Sequence, residues 1–293
     1  MSCILARRAG SSSKECGLSD SAQRLGCGEQ GCAYKLSDTD VIKESPFTAR
    51  FSKDQWLREA CIGKELGLRG LAPKVFQFFE CNSAGYIVLQ KLQDATVWGP
   101  FQIRTESFVG FEDHVSKIPK DIQIQFVRIF NDMARLSYIH MDSHLKNIGY
   151  IATCEGDIVK YVRDQRVDCI KPIVFDFGFT VQRSFSEDDI PYAVAFSCFQ
   201  VLEHVPKSEL PKTLMYSIAT KLVPDAIPRT TDEAVRMAGT GPNADIRIGC
   251  LCYRGLFQME TTDRYMSDLY STVYQIRKGQ FNQTNTWGST EDS

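Results

Sequence analysis

The chain has 293 residues, 43% hydrophobic and 24% charged. That is enough to bury a full core as one large domain or two lobes, and it excludes a disordered chain or a fibrous repeat. Lys and Arg number 34 against 36 Asp and Glu, a formal net charge of -2, so neither a basic excess for nucleic acid nor a charge block for a membrane surface is present.

No apolar run reaches the roughly 18 residues of a membrane span. Residues 1–10 carry Arg7 and Arg8 with no long apolar stretch behind them, and do not read as a secretory signal. Eleven cysteines are scattered, without a CxxC pair; the closest are Cys250 and Cys252. The spacing of a structural zinc site is therefore missing. A chain of this length needs no disulfide framework, so the expectation is reduced thiols in a cytoplasmic compartment, with Cys27 and Cys32 as small space-fillers.

Residues 1–20 are small and polar and read as a flexible terminus. Residues 24–44 read as strands, with Ser37, Asp38, Thr39 and Asp40 as a hairpin loop. A helix follows over residues 56–66, with Trp56, Ala60, Gly63 and Leu66 at spacings of four and three and Gly67 and Gly70 closing it. Residues 74–80 and 86–92 read as strands, and a hinge is expected around 90–94. Residues 121–139 form the strongest helix pattern, with Asp121 as its N-cap. Short strands are expected at 148–151 and 173–175, and an inserted hairpin at 153–172 with Lys160, Tyr161 and Val162 as one strand. From Tyr192 the pattern is mostly helical, and residues 281–293 read as a flexible tail.

Four segments carry chemistry. Gly26-Cys27-Gly28-Glu29-Gln30-Gly31 is a GxGxxG followed at once by a hairpin. That context favours a glycine-rich β-hairpin lying over phosphates rather than a dinucleotide site, where the last glycine opens a helix. Lys43 in Val41-Ile42-Lys43 offers a strand ammonium, and Glu59 is the preferred carboxylate to hold it, with Glu65 the rival. His140-Met141-Asp142-Ser143-His144-Leu145-Lys146-Asn147 sets a carboxylate and a carboxamide five residues apart. The first can accept a hydroxyl proton and the second can ligate Mg²⁺. Finally, the apolar strand Val174-Phe175 ends in Asp176-Phe177-Gly178, a carboxylate at a turn that can hold a metal against a triphosphate.

Taken together and in this order, the segments resemble the protein-kinase-like superfamily. The steps of 12 residues from Gly31 to Lys43, 16 from Lys43 to Glu59 and 5 from Asp142 to Asn147 carry the likeness. The resemblance implies an α+β, two-lobed protein-kinase-like fold. A small antiparallel β lobe would span about 21–91 and a larger helical lobe about 92–280. It also implies an ATP-dependent transferase with Mg²⁺ or Mn²⁺. Gly26, Cys27, Gly28, Gly31 and Lys43 would contact the nucleotide, and the backbone of Gln90 and Leu92 would hold the adenine. Asn147 and Asp176 would hold metal; Asp142, Lys43 and Glu59 would be the catalytic set.

The departures point to an atypical member. Met141 stands where many protein kinases have arginine, and His144 stands where Ser/Thr kinases usually have lysine. The histidine resembles aminoglycoside- and choline-type phosphotransferases and some kinases of large DNA viruses. No Ala-Pro-Glu follows Asp176, and only 13 residues separate it from Asp189, where the next helix is expected to begin. Gly63, one turn after Glu59, replaces the usual bulky apolar residue. The first expectation is a Ser/Thr protein kinase, cellular or viral, acting on a protein substrate in the cytoplasm, or in host cytoplasm or virion if viral. The alternatives are a small-molecule kinase and an inactive kinase-like binding protein.

Overall fold

The computed structural model describes residues 6–7, 18, 22–28, 30–49, 51–93, 115, 118–260 and 263–282. The chain divides into two units, one comprising Met1–Asp94, Asn147–Ile151 and Ile173–Gly178 and the other the remainder. It is α+β, with a largely antiparallel sheet in the N-terminal region and a helical C-terminal part.

The first unit holds strands β1 (Ala6–Arg7), β2 (Arg24–Gly28), β3 (Gly31–Lys35) and β4 (Asp40–Pro46), helix α1 (Lys53–Leu68), and strands β5 (Val75–Cys81) and β6 (Ala84–Gln90). They form one six-stranded sheet in the order β1-β5-β6-β4-β3-β2, antiparallel except where β1 runs parallel to β5. The strand period of two sends neighbouring side chains to opposite faces. Phe79 and Tyr86 join Leu18 and Ile42 in one cluster, while Phe78 and Ile87 pack with Trp56 and Ala60 of α1 in another.

Among the first twenty residues, the described ones, Ala6, Arg7 and Leu18, lie against the sheet. Arg7 pairs with Glu80, and Leu18 is buried in the sheet's own cluster, because the edge of β5 offers backbone partners and the open face offers apolar cover. Helix α1 begins three residues before the expected Trp56. Ser52 accepts from the Gln55 N–H, and the Gln55 side chain accepts from the Ser52 N–H, a capping box that nucleates the extra turn.

The remaining elements are α2 (Lys120–Arg135), β7 (Tyr138–His140), β8 (Ile148–Ala152), α3 (Ile158–Arg163), β9 (Ile170–Val174), β10 (Thr180–Gln182), α4 (Ile190–Leu202), α5 (Leu214–Lys221), α6 (Thr231–Ala238), α7 (Ala244–Gln258) and α8 (Met266–Arg277). β7 pairs with β10, and β8 with β9. In the second unit, α4 is buried on nearly every side and packs against α2, α5 and α7. Among the described residues no helix is long and apolar enough to cross a membrane.

Three expectations change here. Helix α2 stops at Arg135 because Ser137 takes a left-handed φ of 67°, which turns the chain so that Tyr138–His140 can pair as β7. Asp121 lies in the first turn and Pro119 is the cap residue, its carbonyl accepting from both Ile122 and Gln123. The inserted segment is a helix rather than a hairpin: Asp157 caps α3 by accepting from the Val159 N–H, and Lys160, Tyr161 and Val162 lie within it.

The cysteines are a fourth correction. Cys27 is bonded to Cys32 and Cys154 to Cys169, and Cys61 and Cys81 are also disulfide-bonded. Cys198, Cys250 and Cys252 are free and buried. Sequence spacing does not reveal this, because the β2–β3 register sets Cys27 opposite Cys32. Bridges of this kind persist in oxidising surroundings. Peptide mapping without reductant should recover linked 27–32 and 154–169 peptides and label Cys198, Cys250 and Cys252 only after unfolding. Free thiols at 27 and 32 in air-purified protein would contradict this pairing.

Candidate functional site

Within the first unit, β4 runs between β3 and β6, with Lys43 opposite Ala33 and Ile87. Its ammonium donates to Glu59 Oε1 at 2.6 Å and to Asp176 Oδ1 at 2.8 Å. Lys43 is 14% exposed, Glu59 5% and Asp176 38%. Burial by itself would lower the Lys43 pKa, but the charges of Glu59 and Asp176 outweigh it and hold the group above its ordinary value. Burial pushes the Glu59 carboxyl up, with Lys43 pulling against it. Glu65, the rival carboxylate, instead pairs with Arg69 at 3.4 Å.

Asp176 reaches Lys43 from a strained backbone. Its φ is 63°, a left-handed conformation that aspartate tolerates better than most residues. The Phe175 N–H donates to the Asn147 carbonyl at 2.9 Å, so the two residues expected to hold metal belong to hydrogen-bonded neighbouring segments. Gly63 has a direct explanation: a Cβ there would lie 3.5 Å from the Phe177 ring, so that ring covers the place of a bulky side chain.

The glycine hairpin is held at its tip. Gly31 has a φ of 143°, and a Cβ on it would fall 2.0 Å from the Glu44 carbonyl oxygen, so only glycine fits. Gly26 and Gly28 face open space, with nothing within 4 Å of an added Cβ. Their bareness is not required by the protein's own packing. Cys27 is not a space-filler but half of the bond that ties β2 to β3. At the expected adenine edge, the Gln90 N–H is taken by the Lys74 carbonyl at 2.9 Å. The Leu92 backbone has no hydrogen-bond partner among the described residues.

In the second unit the loop after β7 is pinned from several directions. The Asp142 N–H donates to His140 Nδ1, and Ser143 Oγ to the His140 carbonyl. Gln200 of α4, fully buried, accepts from the Ser143 N–H and donates to the His140 carbonyl. Asp142 Oδ1 is paired with Arg277 of α8, and His144 Nε2 lies 3.3 Å from the same oxygen. Burial would raise the Asp142 carboxyl, but His144 first and then Arg277 hold it well below the usual carboxylate range.

Gln200, Glu203 and Arg277 were not found by sequence reasoning. A lone glutamine inside the apolar run of α4 is a signal that could have been used; Arg277 lies 135 positions from Asp142 and carries none. His144, Glu203 and His204 bring ligand atoms within 4.8 Å of one another, the arrangement of a metal site. Arg277, however, already donates to Glu203 at 3.0 Å and touches His144 Nε2 at 2.6 Å, and its charge disfavours a cation there.

The segment after Gly178 is tied down by side chains of the second unit. Arg183 holds Asp245 through both carboxylate oxygens, at 2.7 and 2.9 Å. Ser186 donates to Asp189, Asn243 bonds both the Ser184 carbonyl and Asp189, and Arg247 pairs with Asp189. Helix α4 begins at Ile190, directly after Asp189.

No family model matches the chain, and no curated protein matches its sequence.

Because the Asp142 pKa is depressed in the folded state, its contribution is present above the ordinary carboxylate pKa of about 3.9 and is lost as pH falls below it. Between pH 5 and pH 2.5 the wild type should lose about 1–2 kcal/mol more stability than Asp142→Asn, measured by denaturant melts. Parallel pH slopes would contradict the pairing. Separately, Gly31→Ala should lower the melting temperature by several degrees, while Gly28→Ala should leave it unchanged, since only the first meets backbone.

Proposed function

We propose that this protein is an ATP-dependent phosphotransferase that moves the γ-phosphoryl group of Mg-ATP to a hydroxyl, with Ser or Thr of a protein as the first acceptor class. One observation carries the reading: Lys43 is buried between Glu59 and Asp176, at 2.6 and 2.8 Å. A lysine so fixed is aligned to meet phosphate oxygens, and the aspartate beside it is accessible to a metal.

The residues fit the groups they would hold. Asp176 is 38% exposed and offers hard carboxylate oxygen, and Asn147 lies in the segment hydrogen-bonded to Phe175. These two would bind Mg²⁺ or Mn²⁺, which when bound neutralises phosphate charge. Gly26 and Gly28, bare toward open space, allow the hairpin backbone to approach phosphates. Leu92 can offer its backbone to adenine, while Gln90 offers no N–H. Lys43 would contact the α- and β-phosphates. Asp142 would orient the acceptor hydroxyl and receive its proton. Little covalent chemistry falls to the protein; positioning and charge neutralisation are the mechanism.

A second reading, transfer to a small-molecule alcohol, is favoured by His144 and by the short segment between Asp176 and α4. A purely binding role is disfavoured because the ionic apparatus around Lys43 is intact.

Purified protein with labelled ATP should label a general protein substrate, or else a member of a panel of aminoglycosides and choline-like alcohols; the labelled class decides between the two readings. Lys43→Met and Asp142→Asn should each lower the rate by about 100-fold or more, Asp142→Asn with ATP affinity nearly intact. Chelation should stop turnover, and phosphatase treatment should not change the rate. Turnover that survives excess chelator, or Lys43→Met at the wild-type rate, would sink the proposal.

A further inference from the structure

Arg277 closes α8, the last described helix, and every arm of its guanidinium is engaged. Nε donates to the Met141 carbonyl at 3.1 Å and Nη1 to Glu203 Oε2 at 3.0 Å, while Nη2 meets Asp142 Oδ1 and His144 Nε2. The side chain is only 16% exposed, and its partners Asp142 and Glu203 are 20% and 14% exposed. The next residue, Lys278, lies over the Phe179 ring at 4.3 Å from its centroid, and the Phe179 carbonyl accepts from the Met141 N–H. The end of α8 therefore meets the Asp142 loop at its backbone and its carboxylate, and also the residue that follows Gly178.

We infer that Arg277 is a positioning residue for phosphoryl transfer, its planar fork setting the direction in which the Asp142 carboxylate meets an acceptor hydroxyl; this rests on the phosphotransferase reading. The chemistry is specific to guanidinium. One rigid plane donates at once to a main-chain carbonyl and to two carboxylates on different elements, which fixes Asp142 in angle as well as place. A lysine ammonium is a point charge on a flexible stem and cannot span the three acceptors together. Met141 fits the same account. It is buried, at 2% exposure, and its side chain offers no charge to this loop, so the cation that braces Asp142 comes from 135 positions away. His144 Nε2 meets the same guanidinium nitrogen as Asp142, and Glu203 neutralises the second arm, so Arg277 is a brace whose charge is already matched.

The test uses the full-length protein, Mg-ATP and the acceptor that wild type labels best, with water as acceptor if none is labelled. Arg277→Ala should lower kcat at least 100-fold while the KM for ATP stays within about threefold. Millimolar guanidinium, but not methylammonium, should restore at least tenfold of that loss. Arg277→Lys should remain at least tenfold below wild type and, if Arg277→Ala fails to fold by circular dichroism, decides alone. Arg277→Lys at the wild-type kcat overturns the inference and leaves the phosphotransferase reading standing. So does a folded Arg277→Ala within threefold of wild type, or one that guanidinium does not rescue. A wild type that consumes no ATP with any acceptor or with water overturns the reading and this inference together.

Discussion

A buried ammonium is costly unless it is matched, and in the first unit that requirement falls on Lys43. Its charge sits mid-strand in β4 and is met by one carboxylate from α1 and one from the Asp176 turn. Removing both carboxylates would leave the buried ammonium uncompensated, which costs about 3–5 kcal/mol in comparable buried pairs. The position of α1 on the sheet is therefore fixed by charge as well as by Trp56 and Ala60, which pack on Phe78 and Ile87. The left-handed backbone at Asp176 is offset in the same way, because the strained residue is the one that reaches the lysine.

Around that centre, small residues are placed where backbone or rings approach closely. Gly31 lets β3 cross over the Glu44 carbonyl, and Gly63 leaves room for Phe177. Gly26 and Gly28 have no such internal reason, since an added Cβ at either would meet only open space. The Cys27–Cys32 bond joins directly opposed residues of that hairpin, which restricts its fraying.

The second unit solves a similar problem differently. Asp142 is braced by an arginine shared among several acceptors, and its loop is anchored by a buried glutamine on α4. The segment after Gly178 is held by Arg183, Asn243 and Arg247 acting on Asp245 and Asp189.

Short-range order was readable from residues alone. The strands around Lys43, the helix carrying Glu59, the apolar stripe of α2 and the short strands after Asn147 and before Asp176 all announce themselves by period and by turn residues. Arg58-Glu59-Ala60, at the opening of the helix expected there, favours Glu59 over Glu65 as the partner of Lys43, and the two are paired at 2.6 Å. Helix ends were less legible. Ser137 and Pro119 act through φ and through a carbonyl, which composition does not weigh. The turn of α3 was misread because a short apolar run fits either period and only its Asp157 cap and the Cys154–Cys169 bridge decide. Which cysteines bond, and which cation braces Asp142, belonged to the tertiary structure alone. The first depends on strand register and loop packing even between cysteines 5 and 15 positions apart, and the second on a contact across 135 positions, for no local pattern encodes the packing that brings α8 to the Asp142 loop.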